Sequence, residues 1–512
     1  AAVHGGTNCC DNRDTNLARI PMDKSLCAEL IRSRFDSDAS GSRSQATLYL
    51  AIRRLILDGE LPPGSPLPPT RVLTTELGLS RSTVVRAYEK LQVEGYLQSR
   101  GGSGTLVSEA LSLPTPGNAR RGRPWRHGRP LSRRGAEIAQ HATSNPIQSG
   151  AFVPGVPDVR LFPFATWRRL LSKYICFEHR QLARYGHGGY GPLKAVLAEY
   201  LRASRMMACS PRQILILNGS HQAIDLCARM LCDEKDRVWM EDPGYWGASN
   251  VLRANGLHIE PIPVDDQGMS LPADPESPPR MIFISPSSQY PTGVVMSLAR
   301  RLKLLELAEA YESWVVEDDY DNEIRYHPYT IGSLFGQARS RRVIYLGTFS
   351  KTMFPGLRLA YLVVPEDLAE SFAIGNAELY REGRLIEQAA LAEFIDEGHL
   401  SAHLRRMRTI YQERRNVLRR AIESRLGDLV STTGGLAGLH LPYFFNQPFD
   451  DVALSDEMRE AGIVLRPLSM YYADSRHRRS GMVLGFAAVD AKTIEAAADQ
   501  LCTVVERRRQ RA

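Results

Sequence analysis

No apolar run in the 512 residues approaches the roughly 18 needed to cross a bilayer as a helix, so no membrane-spanning helix is expected. The eight cysteines, Cys9, Cys10, Cys27, Cys176, Cys209, Cys227, Cys232 and Cys502, form no C-x-x-C pair and no zinc spacing with His. They read as reduced thiols, which argues against a disulfide scaffold and against a metal site. The opening AAVHGGTNCC lacks a basic start followed by an apolar stretch, so no signal peptide is read and the cytoplasm is the expected compartment. No internal repeat is visible. Acidic residues are missing between Ala110 and Ala136, where Arg120, Arg121, Arg123, Arg126, Arg129, Arg133 and Arg134 stand. That stretch holds the whole net charge of +7, and the rest of the chain is neutral. With 43% hydrophobic and 24% charged residues the composition is that of a globular protein of two or more domains.

Residues 1–45 are polar, with one apolar patch at Leu26 to Ile31, and are expected to be a disordered extension holding at most one turn of helix. Residues 46–110 form a compact module. Leu48, Ile52, Leu55 and Ile56 recur on one helical face. The prolines of Leu61-Pro-Pro-Gly-Ser-Pro-Leu-Pro-Pro69 forbid a helix there. Thr70 is placed to cap a helix through Leu77, Gly78 breaks it, and Ser80 caps another with Val84, Tyr88 and Leu91 buried. Two short runs, Gly95 to Leu97 and Thr105 to Val107, flank Arg100-Gly-Gly-Ser-Gly104 and predict a hairpin. Residues 111–148 are rich in Pro, Gly, Ser and Arg and read as a linker. Residues 149–512 alternate helical segments with strand-like runs such as Gln213 to Leu217, Arg237 to Met240, Met281 to Ile284, Trp314 to Glu317 and Val343 to Leu346. That alternation predicts an α/β layer architecture with a mostly parallel sheet.

Helices meeting across a glycine turn suit a helix-turn-helix, whose second helix enters the major groove tip first. That tip is Ser80-Arg-Ser-Thr83, with Arg86 one turn on. Hydroxyls, arginines and free backbone N–H groups there suit phosphate oxygens.

The larger module carries the parts of a pyridoxal 5'-phosphate site, which needs an amine for a Schiff base, an acid on the ring nitrogen, an aromatic face and phosphate donors. Lys351 in Gly347-Thr-Phe-Ser-Lys351 follows a strand and supplies the amine. Asp318 ends another strand and can keep the ring nitrogen protonated, and Tyr320 can hydrogen-bond the phenolic oxygen. Tyr245 in Glu241-Asp-Pro-Gly-Tyr245 offers the stacking face. Gly219 and Ser220 lie between a strand and a helix, where backbone N–H groups hold phosphate, with Thr348 and Arg358 completing the cup.

The string TLYLAIRRLILDGELPPGSPLPPTRVLTTELGLSRSTVVRAYEKLQVEGYLQSRGGSGTLV resembles the winged-helix domain of GntR transcription regulators. The strings YGHGGYGPL, EDPGY, SPSSQYPTG, EDDYDNEIRY and GTFSKTMFPGLRLAY resemble fold type I aminotransferases, and in particular the MocR subfamily, which joins both parts in one chain. The resemblance implies a winged helix-turn-helix followed by a fold type I domain. It makes Arg71, Ser80, Arg81, Thr83 and Arg86 DNA contacts, and Gly102, Ser103, Gly104 and Thr105 the wing tip. It further implies a double-stranded DNA operator, a head-to-tail homodimer in which Tyr185 reaches the partner's phosphate, and a bacterial regulator. Such a regulator responds to an amine, an amino acid or pyridoxal phosphate itself and does no net turnover; the alternative is an active aminotransferase fused to a DNA-binding domain.

Four positions depart from the family pattern. Leu67-Pro-Pro-Thr-Arg71 stands where serines are usual before the Arg, Tyr290 replaces the Asn before Pro291-Thr-Gly293, with Ser288 or Gln289 as substitutes, and Gly247 replaces an arginine. The substrate-carboxylate arginine would lie shortly before Val483-Leu484-Gly485-Phe486, where the chain has Ser480-Gly-Met482, with Arg478 and Arg479 out of register.

In the linker, Arg121-Gly-Arg-Pro124 and Gly128-Arg-Pro130 contain the Gly-Arg-Pro core of an AT-hook, a segment suited to a narrow A·T minor groove. A flexible basic tether that neutralises phosphates without reading sequence is the favoured account of the arginines. Replacing Arg121, Arg123 and Arg129 by Ala separates the two: minor-groove reading weakens binding selectively on A·T-flanked operators in a mobility-shift titration, whereas a tether gives an equal loss on every flank.

Overall fold

The computed structural model describes residues 22–38, 43–100, 104–110, 131–140, 149–184, 188–273, 275, 277–327, 331–338, 341–381 and 383–511. The chain divides into two compact units, Ala1–Pro130 and Leu131–Ala512. Both Gly-Arg-Pro cores, and also Gly102, Ser103 and Tyr185, lie outside the described residues.

The first unit holds α1 (Lys24–Asp38), α2 (Gln45–Leu57), α3 (Thr70–Leu77), α4 (Arg81–Val93), β1 (Leu97–Arg100) and β2 (Gly104–Val107). Its helix boundaries follow local chemistry. The Ser44 side chain accepts from the Thr47 N–H at the start of α2, Gly78 ends α3 at φ +61, and Ser80 accepts from the Thr83 N–H at the start of α4. Pro69 rather than Thr70 occupies the cap position of α3. The strands pair antiparallel, Leu97 opposite Val107 and Arg100 opposite Gly104.

The disordered extension expected over 1–45 is corrected for Lys24–Asp38, which is helical. Cys27, Ala28, Ile31 and Phe35 are buried in one cluster with Leu48, Ile52, Leu73 and Leu91. Arg34 pairs with Asp58 at 3.3 Å and Arg54 with Asp38 at 2.9 Å. The apolar stripe is four residues wide in a polar sequence, so its stability comes from the tertiary face it covers rather than from helix propensity.

The second unit carries a central sheet of β3 (Ile214–Leu217), β4 (Arg237–Asp242), β5 (His258–Asp265), β6 (Gly268–Met269), β7 (Met281–Ile284), β8 (Trp314–Asp319), β9 (Val343–Thr348) and β10 (Ala360–Val363). The spatial order is β3-β10-β9-β8-β7-β4-β5-β6. Neighbours from β9 to β5 run parallel, whereas β10 is antiparallel to both β3 and β9, and β6 to β5. A second, antiparallel sheet contains β11 (Val430–Thr432), β12 (His440–Phe445), β13 (Arg466–Pro467) and β14 (Gly481–Gly485), in the order β11-β12-β14-β13. Helices cover the parallel sheet, and the strands β3, β7 and β9 are buried throughout, as a sheet covered on both faces requires. Within the segment read as linker, Arg133–Gln140 is a helix, and Arg134 lies 3.6 Å from Glu234.

Phe35 is fully buried, so Phe35→Ala is expected to destabilise the first unit by about 3–5 kcal/mol. Chemical denaturation of the full chain should show that loss in one of two transitions; an unchanged pair of transitions would remove α1 from the folded unit.

Candidate functional site

In the first unit the arginines separate into two groups. Arg34, Arg43 and Arg54 are held by carboxylates, and Arg53 donates to the Tyr96 hydroxyl at 3.0 Å. Arg71, Arg81 and Arg86 are exposed and have no carboxylate partner among the described residues. Around the tip of α4, Ser80 Oγ lies 2.7 Å from Thr83 Oγ1 and 2.9 Å from Ser82 Oγ. The buried Tyr88 hydroxyl donates to Pro68 O at 2.9 Å, tying α4 to the turn that starts α3 and hence to Arg71. Uncommitted guanidiniums and hydroxyls thus cluster where a helix N-terminus already favours anions. Gly104 at φ +89 opens β2, and Lys24 of α1 stands beside it, a cation at the wing that the sequence reading missed.

In the second unit side chains alternate across β8. Glu317 accepts from the N–H groups of Leu334 and Phe335 at 2.9 and 3.0 Å. Asp319 pairs with Arg205 and accepts from the Tyr345 hydroxyl. Asp318 points the other way and is buried, with its Oδ1 unpartnered. The neighbouring strand β9 aligns Leu346 with Asp318, so the turn after β9 brings Lys351 to the same edge. Lys351 Nζ donates to Gly155 O at 2.7 Å. Gly155 is held there because Gly485 N–H donates to Phe152 O at 3.0 Å. A Cβ on Gly155 would come within 2.9 Å of Lys351 Nζ.

The electrostatics are those of charges withheld from water. Burial pushes Asp318 up to about 7, Asp319 adds to this, and Lys351 pulls it back. Burial lowers Lys351, while Asp321 and Asp318 counter the shift. Asp321 is pushed up to about 8, chiefly by burial, and both its oxygens are unpartnered. The Tyr320 hydroxyl is buried without a well-formed hydrogen bond, the side chains of Ser288 and Asp321 being its polar neighbours. Unsatisfied buried groups of this kind mark a place made for a polar ligand.

The remaining expected residues sit around this edge. Tyr245 caps the helix Trp246–Ala254, and its hydroxyl is 3.0 Å from His221 Nε2. Ala360 of β10 faces Leu217 on one side and Thr348 on the other, which brings the Gly219-Ser220 turn and Thr348 to one sheet edge. The Arg358 guanidinium lies 3.0 Å from where a Cβ on Gly219 would be, and Gly219 has φ +100 at the start of the helix Ser220–Leu231. This cradle, the unpartnered Asp318 and Tyr320 atoms and the Lys351 amine fit the phosphate, ring nitrogen, phenolic oxygen and carbonyl of pyridoxal phosphate.

Of the two substitutes for the missing Asn, Gln289 is committed to its own loop: it donates to Pro243 O and Tyr290 O and accepts from Thr292. Arg478 is exposed, Arg479 lies over the Phe444 ring, and Met482 is fully buried. No metal-binding cluster of His, Cys, Asp and Glu occurs among the described residues, nor does any helix there have the length and apolarity to cross a membrane. Asp321 and the Gly155 carbonyl escaped the sequence reading. The only available signal for Asp321 was its place in the Glu317-Asp-Asp-Tyr-Asp321 string.

Comparison with known proteins matches residues 44–107 to the bacterial regulatory proteins of the gntR family and residues 158–501 to aminotransferase class I and II. The chain is therefore an HTH-type transcription regulator built on a pyridoxal-phosphate-binding aminotransferase fold. It is 42% identical to the probable rhizopine catabolism regulatory protein MocR of Rhizobium meliloti, across 87% of this chain and 90% of that one. It is 30% identical to the pyridoxine biosynthesis transcriptional regulator PdxR of Corynebacterium glutamicum, across 86% and 92%. Among solved structures, the α-aminoadipate aminotransferase LysN of Thermus thermophilus, complexed with N-(5'-phosphopyridoxyl)-L-leucine, matches with a TM-score of 0.66 and 26% identity, over 72% of this chain and 96% of that one. The chain belongs to the MocR-type regulators, GntR winged helices fused to an aminotransferase-like domain.

Glu241, Asp318 and Asp321 are raised to about 8, about 7 and about 8. Acids raised in the fold hold extra protons there, so stability falls as pH climbs from the ordinary carboxylate range through about 7 to 8. The melting temperature of the cofactor-free chain should fall between about pH 5 and pH 9, and fall less with pyridoxal phosphate bound, whose ring cation favours the Asp318 carboxylate. A flat profile would place these acids in water.

Proposed function

We propose that the chain is a cytoplasmic bacterial regulator that senses an amine or amino acid in its aminotransferase-like domain and alters operator binding in response. One observation carries this reading: a lysine amine, an unpartnered buried carboxylate and an unpartnered buried phenol converge in a chain whose other unit presents uncommitted arginines at a helix tip. When bound, pyridoxal phosphate supplies a carbonyl that a primary amine can capture and a ring that takes up charge.

The protein's own residues then have separable roles. Asp318 would hold a proton at the ring nitrogen, Tyr320 would hydrogen-bond the phenolic oxygen, and Tyr245 would cover one ring face. Gly219, Ser220, Thr348 and Arg358 would hold the phosphate, joined by Tyr185 from the partner in a head-to-tail homodimer. With the cofactor bound, Lys351 would be the amine against which an effector's amine competes, and that competition would bias the closure of the domain and the spacing of two winged helices on their half-sites. Arg71, Ser80, Arg81, Thr83 and Arg86 contact the operator, with Gly102, Ser103, Gly104 and Thr105 at the wing.

A second reading, an aminotransferase in its own right, draws on the same Lys351, Asp318 and Tyr320 set. It requires product to accumulate over many turnovers when an amino donor and a keto acid are both supplied, whereas the regulator binds the donor and stops.

In salt-dependent binding measurements, Arg81→Ala with Arg86→Ala should weaken operator binding at least about tenfold and lower the slope against log salt by about 2. Lys351→Ala should make operator affinity insensitive to added amine. A Lys351→Ala protein that still responds would place sensing elsewhere.

A further inference from the structure

Arg466 opens β13, with its Cα paired to Val483 on β14, the strand that carries only buried apolar Met482 and Val483 at this level. Its guanidinium lies over the ring of Trp246 at 5.4 Å. From there an aromatic wall runs toward Lys351. Trp246 stacks on Tyr471 at 4.4 Å, the Tyr471 and Tyr290 hydroxyls are 2.9 Å apart, and Tyr290 stands edge-on to Tyr245 at 5.9 Å and to Tyr320 at 5.8 Å.

Arg466 is half-buried, yet no carboxylate lies within ion-pairing distance among the described residues. Of the buried arginines elsewhere in the unit, Arg414 pairs with Asp158 at 3.0 Å and Arg205 with Asp319, while Arg301 donates to the carbonyls of Met296, Gly332 and Pro286 and Arg325 to Asn322. An indole face offsets part of the cost of withdrawing a guanidinium from water, and it leaves the in-plane N–H fork free for a bidentate acceptor. The charge reaches the wall, acting on the hydroxyls of both Tyr290 and Tyr471. At the opposite end, Asp318 and Asp321 flank Lys351 and offer a cation or amine two acids and an anion no donor but the lysine. The site is thus polarised, favouring a cation or amine at one end and an anion at the other.

We infer that Arg466 binds the acidic end of the effector, so that the molecule sensed is an amine that also carries a carboxylate or an equivalent anion. This rests on the amine-sensing reading above and adds the residue that sets specificity. The arginine expected near the start of β14 is supplied from the next strand.

The test uses the full chain loaded with pyridoxal phosphate and matched probes: 4-aminobutyrate against butylamine, 5-aminopentanoate against pentylamine, and L-leucine against 3-methylbutylamine. Affinity is read by calorimetry and by tryptophan fluorescence, since Trp246 lies under the guanidinium. At least one acid should bind about tenfold or more tightly than its matched amine, the factor a charge-assisted hydrogen-bonded pair supplies. That ratio should fall to near one in Arg466→Gln and recover in part in Arg466→Lys, a pattern that general misfolding does not produce because it weakens both members of a pair. Equal binding of acids and amines by the unmodified protein, or a preference that survives Arg466→Gln, overturns the assignment while amine sensing stands. Failure of every probe to bind overturns both.

Discussion

The ε-amine of Lys351 lies against the Gly155 carbonyl and in the field of two buried carboxylates, Asp318 and Asp321. Much of the surrounding structure serves to keep these groups together and out of water. Alternation along β8 sends Asp318 to the site and Asp319 to Arg205, so each acid meets a different neighbour. The carbonyl that receives the amine depends on the pairing of Phe152 with Gly485. There a side chain at 485 would drive its Cβ to 2.0 Å from the Val153 oxygen, so glycine at that position controls where the amine rests. One oxygen of Asp318 and both of Asp321 are unpartnered, so a polar guest would change the energy of the site by several hydrogen bonds at once.

Most of the architecture was legible because its signals are local. A serine before a helix, a glycine after one, and strand-like runs between helical segments gave the winged helix and the parallel sheet, and Ser80, Gly78 and Val343 to Leu346 stand where those rules put them. The residues expected to hold the cofactor were placed by a related rule: most lie at or just beyond a strand end or a helix start, and strand ends in a parallel sheet converge on one edge.

What escaped the sequence depends on contacts distant along the chain. Phe35 and Ile31 gain their meaning from Leu48 and Ile52 on the following helix, and the polar sequence around them hides the stripe. Arg466 reads as one more surface arginine until β13 and β14 are paired and Trp246, 220 positions earlier in the numbering, is laid beneath it. Gln289 failed in the opposite way. Its position suggested a ligand contact, but four hydrogen bonds within and beside its own loop use up its amide.

The helix α1 also changes what counts as one folding module. The match to the gntR family begins at residue 44, yet the apolar face of α2 packs against side chains from residues 27 to 35. A DNA-binding fragment cut at the family boundary would present Leu48, Ile52 and their neighbours to solvent as a contiguous patch, the kind of surface that drives self-association. Any transplant of this reader onto another sensor must therefore carry the twenty or so residues that precede the recognisable domain, or it will select for oligomers before it selects for operators.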